Sequence, residues 1–500
     1  MVGGSAISTG NAGLDVILKG GLPSGHMYLL EGTPGSGKTT LALGLLLEGV
    51  RQGERALYVT LSETREELSA VAASHGLSLE GIAIFELASA DEAIGEGTEQ
   101  SILHPWEAEL GQTVALIKAE VERVDPARVV FDSLSELRLL AQDPLRFRRQ
   151  VLALKQFFDP RACTVLLVDD LAGSTGGRAD GQLHSICHGV VTLERLTLDF
   201  GAARRRLQVQ KLRGVDFTAG YHDFNIRRGG LDVFPRLVAL DHHADFIGDH
   251  VPSGNDELDR LVAGGPLRGT TMLITGPAGT GKTTIALQYI DAACRRDEPC
   301  AIFEFDERIG TMFARAKSLG IDLAGHVTTG HLRVHQVDPA ELSPGEFTSR
   351  VRRAVERDDV RLLVIDSLNG YLAAMPQEQQ LILQLHEMLS YLNQKGVTTL
   401  LINPQHGLVG TMATGTLNVS YIADVVMLLR FFEADGRIRK AISVLKNRSG
   451  AHENTIRELS VDPRGIRVSA PLVSFKGVLT GTPEYTGSAG PLIGASDLAP

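Results

Sequence analysis

The chain repeats itself on the scale of a whole domain. Leu14-Asp15, Gly20-Gly21 and Lys38 recur as Leu258-Asp259, Gly264-Gly265 and Lys282, each pair 244 residues apart. Further along, Asp132-Ser133-Leu134 and Lys211-x-Arg213 recur as Asp366-Ser367-Leu368 and Lys446-x-Arg448, at spacings of 234 and 235. The second copy has therefore lost about ten residues relative to the first. Solenoid units run to roughly 20–50 residues, so a period this long implies two tandem domains. The expected division is a first domain over 1–235, a linker over 236–252 and a second domain over 253–479. The stretch 480–500, rich in Gly, Pro, Ser and Ala, buries little apolar surface and is expected to be disordered.

Inside each copy, apolar runs alternate with amphipathic segments. MYLLEG, ALYVTLS, ARVVFDS and CTVLLVDD read as strands in the first, and TMLITG, CAIFEFD, RLLVIDS and TTLLIN in the second. TTLALGLLLEGVRQG and LRFRRQVLALKQFF have helical spacing. Continuous apolar strands separated by helices imply an α/β fold, a mainly parallel sheet covered on both faces.

Two loops then carry chemistry. Gly32-Thr33-Pro34-Gly35-Ser36-Gly37-Lys38-Thr39-Thr40 and Gly276-Pro277-Ala278-Gly279-Thr280-Gly281-Lys282-Thr283-Thr284 both satisfy G-x-x-x-x-G-K-[ST], and both follow a strand and open a helix. Glycines let backbone N–H groups wrap a polyphosphate, and the helix N-terminus adds positive potential. Lys38 and Lys282 are expected at the β- and γ-phosphates of ATP, with the Thr39 and Thr283 hydroxyls on Mg²⁺.

Asp132 ends VVFDS and Asp366 ends LLVIDS, where a carboxylate at a strand tip can hold Mg²⁺ or its water; the plain alternative is a helix N-cap. Glu63 and its repeat mate Glu307 reach the same edge and are candidates to orient water or take its proton. Asp306 beside Glu307 gives the second copy a carboxylate pair, where the first has Ser62-Glu63. Lys211-Leu212-Arg213 and Lys446-Asn447-Arg448 end late strands, either as solvated strand ends or as cations offered to a neighbouring subunit's γ-phosphate.

Composition limits the alternatives. Lys+Arg is 49 against Asp+Glu 60, a net charge of −11 that opposes non-specific attraction to nucleic acid or an anionic membrane. The apolar runs fall short of the ~18 residues that span a bilayer. A RecA-like DNA-binding reading also needs basic central loops, yet AGSTGGRADGQLHSIC offers only Arg178 and His184, and PQHGLVGTMATGTLNVS has no Lys or Arg. The four cysteines show no paired CxxC spacing, and the N-terminus lacks the features of a secretory signal. The expected compartment is the cytoplasm.

With GTPGSGKTT, SET, VVFDS and QKLRG in the first copy, and GPAGTGKTT, FDER, VIDS and LKNRSGAHENTIRELSV in the second, the chain resembles the KaiC and KaiC-like family of clock ATPases and autokinases over residues 5–480. The resemblance implies two RecA-like domains, ATP and Mg²⁺ as ligands, and a homohexameric double ring. In it the first ring mainly hydrolyses ATP and the second phosphorylates itself. It further implies that Lys211, Leu212 and Arg213, and likewise Lys446, Arg448 and His452, reach a neighbour's nucleotide. The family's Glu-Glu pair stands here as Ser62-Glu63 and Asp306-Glu307, and its Ser-Thr phosphoacceptors fall on Ser420 and Tyr421, leaving Ser420 as the candidate acceptor. The end of the chain has no match to the family's partner-binding tail. Environmental signalling through unidentified partner proteins, or an ATP-gated scaffold without kinase activity, stays open beside a clock role.

Overall fold

The computed structural model describes residues 5–87, 105–171, 180–198, 200–239, 248–373, 378–405, 419–434, 436–463, 465–479 and 484–486. The chain divides into two compact units, Met1–Arg236 and Leu237–Pro500. Each is built on a nine-stranded sheet.

In the first unit the strands are β1 (Met27–Gly32), β2 (Ala56–Thr60), β3 (Ile82–Glu86), β4 (Arg128–Asp132), β5 (Thr164–Asp170), β6 (Gly189–Leu196), β7 (Arg204–Leu212), β8 (Tyr221–Arg227) and β9 (Gly230–Phe234). Across the sheet they run β3-β2-β4-β5-β1-β6-β7-β8-β9. The first six are mutually parallel and the last three continue antiparallel. The second unit repeats this with β10 (Thr271–Pro277), β11 (Cys300–Glu304), β12 (Leu332–Gln336), β13 (Leu362–Asp366), β14 (Thr398–Gln405), β15 (Val425–Ala434), β16 (Arg437–Asn447), β17 (Arg457–Asp462) and β18 (Gly465–Pro471). Their order is β12-β11-β13-β14-β10-β15-β16-β17-β18, the same permutation. This is the doubly covered, mainly parallel α/β architecture that the apolar runs imply.

The central strands are apolar throughout because both faces are covered. Tyr28 and Leu30 of β1 pack on the helix Lys38–Arg51, through Leu43 and Leu46, while Met27 and Leu29 pack on the other face with Val151 and Leu154 of the helix Pro144–Phe158. Each fully buried Leu contributes about 2 kcal/mol of transfer free energy. The repeated Leu-Asp pair also has a structural use. Leu14 and Leu258 are buried, and Asp15 and Asp259 accept the backbone N–H of Thr9 and Ser253 at 2.9 and 2.7 Å, closing each unit's entry turn.

Parts of the linker expected over 236–252 pack with the second unit. Leu237 and Val251 are buried, Leu237 in a core with Phe347 and Leu385. Of 480–500, the described residues are 484–486, and Glu484–Tyr485 pair antiparallel with Phe475–Lys476. Most of the two central loops weighed against DNA binding, 172–179 and 406–418, lies outside the described residues.

Candidate functional site

Each phosphate loop joins the C-terminal end of the central strand to a helix. Gly32 has no room for a side chain: a Cβ there would stand 2.5 Å from the Leu193 carbonyl oxygen, and one on Gly276 would stand 2.3 Å from that of Leu429. Gly37 and Gly281 take φ of 109° and 106°, left-handed values that suit glycine, immediately before Lys38 and Lys282. Ser36 is buried and its hydroxyl finds no partner among the described residues, nor does that of Thr33. Unmet buried hydroxyls inside a glycine cradle suit a polyphosphate, so the first loop fits ATP on that ground. In the second the corresponding Thr280 hydroxyl donates to the Pro277 carbonyl at 2.8 Å, and the fit rests on the Gly276 and Gly281 cradle.

The metal-binding candidates converge in both units. Thr39 Oγ1 donates to Asp132 Oδ2 at 3.0 Å, and Thr283 Oγ1 donates to Asp366 Oδ2 at 2.6 Å. A hydroxyl and a carboxylate facing each other beside the phosphate loop are the oxygen donors a Mg²⁺ site uses. Burial raises Asp132 above the usual carboxylate range and pushes Asp366 up to about 6, the latter helped by Asp306. Asp132 also accepts from the Tyr58 hydroxyl at 2.5 Å.

The two lysines differ. Lys38 Nζ donates to the carbonyls of Gly32 and Thr33 at 3.0 and 3.1 Å and lies 2.7 Å from Asp170 Oδ1 at the end of β5. Lys282 Nζ donates to the Pro277 carbonyl at 2.7 Å, and desolvation brings it down to about 8. The register explains this, because Gly32 is opposite Asp170 whereas Gly276 is opposite Pro404. The second loop has no carboxylate at that place.

The candidate bases differ too. Thr64 N-caps the helix Arg65–Ser74 in a capping box with Glu67, which leaves Glu63 free of capping duty. Burial, with Asp132 nearby, raises Glu63. Glu307 is paired with Arg315 at 2.7 Å, and Asp306 accepts from the Ser367 hydroxyl. Position 71, the repeat mate of Arg315, is Val71, so Glu63 has no such tether. Just behind the pair is Glu304, wholly buried, whose carboxyl is pushed up to about 8 by burial and by Asp366.

The Lys-x-Arg segments stand elsewhere. Lys211 is paired in register with Val190 at the start of β6, and Lys446 with Val426 near the start of β15. Both sit at the sheet edge opposite their own unit's phosphate loop. Lys211 Nζ donates to the carbonyls of His184 and Cys187, the latter at 2.9 Å, and Lys446 Nζ to those of Ser420 and Ala423 at 2.8 and 2.6 Å. Leu212 is buried, Arg213 and Arg448 are exposed, and His452 is half-buried. Ser420 lies in the 3₁₀ turn Val419–Tyr421, half-buried beside an exposed Tyr421.

The sequence reading passed over Tyr58, Asp170 and Glu304. Asp170 and Glu304 were visible only by setting the copies side by side, where Asp170 stands against Pro404 and Thr60 against Glu304. Tyr58 likewise stands against Ile302.

A family model described as "ATPase: KaiC" matches residues 7–238 and again 251–473. The circadian clock protein KaiC3 of Synechocystis sp. is 27% identical over 491 residues, covering 96% of this chain and 95% of the relative. The circadian clock oscillator protein KaiC of Parathermosynechococcus lividus is 26% identical over 95% of this chain and 87% of its own length. That of Prochlorococcus marinus (strain MIT 9313) is 25% identical over 96% and 95%.

Proposed function

The chain belongs to the KaiC ATPase family, and from that premise we propose that both phosphate loops hydrolyse ATP and that the second unit also phosphorylates Ser420, within a homohexamer. The observation that carries the reading is the paired contact of loop threonine and strand-tip aspartate, 3.0 Å in one unit and 2.6 Å in the other.

Thr39 with Asp132, and Thr283 with Asp366, are the residues to hold Mg²⁺. When bound, the ion offsets charge developing on the phosphates. Lys38 and Lys282 do the same from the other side, while the loop N–H groups fix the polyphosphate in line. Glu63, with its raised proton affinity, orients water and accepts its proton in the first unit. Glu307 and Asp306 fill that role in the second, for water or for the Ser420 hydroxyl of a neighbouring subunit, since Ser420 lies with Lys446 at the edge opposite its own loop. In the kinase step the Oγ–P bond forms, the β–γ bridging P–O bond breaks, the hydroxyl proton passes to a carboxylate and ADP leaves.

Lys211, Arg213, Lys446 and Arg448 stand too far round the sheet to serve their own loop, which supports their acting on a neighbour's nucleotide in a ring. The relatives' names support a signalling role, circadian or environmental, through partner proteins. The experiment measures ATP turnover by the wild type, Lys38→Ala, Lys282→Ala and the double variant. Each single substitution removes its own site's turnover, on the order of 100-fold or more, and the double variant retains none. Wild-type turnover by the double variant overturns the assignment. Native mass spectrometry with ATP is expected to give six copies, and phosphosite mapping is expected to find phosphate on Ser420. An unmodified Ser420 removes the kinase half and leaves the ATPase.

A further inference from the structure

Glu304 stands where the first unit has Thr60. Both residues end the strand that pairs with the aspartate-tipped one, Thr60 opposite Asp132 and Glu304 opposite Asp366. Thr60 closes the following turn with a hydroxyl, accepting the Glu63 N–H at 3.0 Å and donating to the Glu63 carbonyl at 2.6 Å. Glu304 accepts two N–H groups on one oxygen, Oε1, from Asp306 at 3.2 Å and Glu307 at 2.9 Å. Its side chain is 0% exposed, and Oε2 has no partner among the described residues.

Burying a carboxyl costs far more than burying a hydroxyl, and half of this one's hydrogen-bonding capacity is idle. The first unit shows that the turn closes without it. What the carboxyl adds is hold on two successive backbone amides, those of the two acids. The same turn is gripped from behind by Gln336, whose Nε2 donates to the Glu304 and Glu307 carbonyls at 3.2 and 3.1 Å.

We propose that Glu304 is a positioning residue of the second site, its Oε1 fixing the backbone that carries Asp306 and Glu307 so that both side chains are held for the reaction. The first unit, with one acid in place of two, manages with Thr60. The proposal rests on the reading that the second site turns over ATP, and its test separates the two.

On a Lys38→Ala background, only the second site works. If that background hydrolyses no ATP, the ATPase reading of the second site fails, and the proposal falls with it. If it does hydrolyse ATP, Glu304→Val is expected to lower kcat on the order of 10- to 100-fold while KM for ATP stays within about twofold, because the acids are misplaced but the phosphate loop is intact. Glu304→Gln keeps an acceptor and Glu304→Thr copies the first unit; both are expected to recover kcat to within about threefold of the background. Amide hydrogen exchange at Asp306 and Glu307 is expected to accelerate in Glu304→Val and to return in the two rescues. If Glu304→Val does not fold, Glu304→Asp, which withdraws the acceptor by one methylene, carries the same expectation for kcat and exchange. Unchanged kcat in the folded variant overturns the proposal. So does failure of both Gln and Thr to rescue, since the carboxylate itself would then be reacting.

Discussion

The two units share one sheet permutation and the same contact of loop threonine with strand-tip aspartate, yet they solve their buried polar problems with different residues. At the loop, Lys38 leans on Asp170 while Lys282 has only a carbonyl. At the start of β4, the first unit buries Arg128 where the second has Leu362. On the late antiparallel strands, a neutral His222 occupies the place taken in the second unit by Arg457 paired with Glu453 at 2.7 Å. Where phosphate contact dictates the geometry, the copies keep the same residue types. Where only a buried partner is needed, they have drifted apart. The same permutation is therefore held by different chemistry, and the two units should fail under different stresses.

Arg128 is the sharpest place to break that symmetry. Its guanidinium is wholly buried and donates to Glu54 at 2.5 Å, to the Ser8 and Leu45 carbonyls at 2.7 and 2.9 Å and to Gln52 at 3.3 Å. Arg128→Ala strands all of these acceptors and is expected to destabilise the first unit by about 3–5 kcal/mol. The chain's single tryptophan, Trp106, lies in the first unit, so its emission reports that unit alone. Urea titrations of wild type and variant should show the Trp106 transition moving to lower denaturant. A shift worth less than ~1 kcal/mol would mean that Arg128 is dispensable and that Leu362 is its equal.

Acid should divide the units next. Burial brings His222 down to about 4, against the 6.5 it takes when free. Its Nδ1 accepts the Arg236 N–H at 2.8 Å and its Nε2 donates to the Thr218 carbonyl at 2.9 Å, so protonation removes an acceptor. The folded pKa is depressed, and the stability is therefore complete above pH 6.5. It declines as pH falls toward 4, by at most ~1.4 kcal/mol per pH unit. Arg457–Glu453 responds only at lower pH, because the cost of burial is outweighed by hydrogen bonds from Thr455 and Arg457, which hold the Glu453 carboxyl below its ordinary value. His188, lowered by burial and by the stacked His26, acts in the same sense as His222, while the raised Asp132, Asp169 and Glu63 act oppositely. The difference between wild type and His222→Gln, both followed at Trp106 from pH 7 to 5, isolates the imidazole. Parallel pH profiles for the two proteins would remove it as the acid-sensitive group.

The sheet and the loops were readable because they are local. A G-x-x-x-x-G-K-T after an apolar run places a cradle at a strand end whatever lies around it, and Asp132 and Asp366 mark the tips of β4 and β13, each one strand removed from the cradle strand. The partners were not readable, because register between distant strands decides them. Asp170 meets Lys38 only because β5 pairs with β1 one to one up to Gly32. Tyr58 and Glu304 depend likewise on the β2–β4 and β11–β13 pairings. The Lys-x-Arg segments show the same limit. Their place on late strands was evident, but their capture of the His184, Cys187, Ser420 and Ala423 carbonyls depends on how the preceding turns close.

Asp170 tests whether the difference at the lysines matters to nucleotide binding, and its effect should be the smallest. The pair stands 2.7 Å apart, but Asp170 keeps 32% of its side chain exposed, and solvent screening holds such a pair near ~1 kcal/mol or less. A polyphosphate entering the first loop must draw Lys38 away from this carboxylate and sit near its negative charge, whereas the second loop imposes neither cost. Asp170→Asn removes both and keeps the side chain's size. On a Lys282→Ala background, calorimetric titration with a non-hydrolysable ATP analogue is expected to show binding at the first loop tightened by roughly threefold to fivefold. The gain should shrink at high salt, since screening reaches a pair whose carboxylate is 32% exposed. Weaker binding in Asp170→Asn would mean that the carboxylate orients Lys38 for the phosphates, which would make the bare lysine of the second unit the poorer ligand of the two.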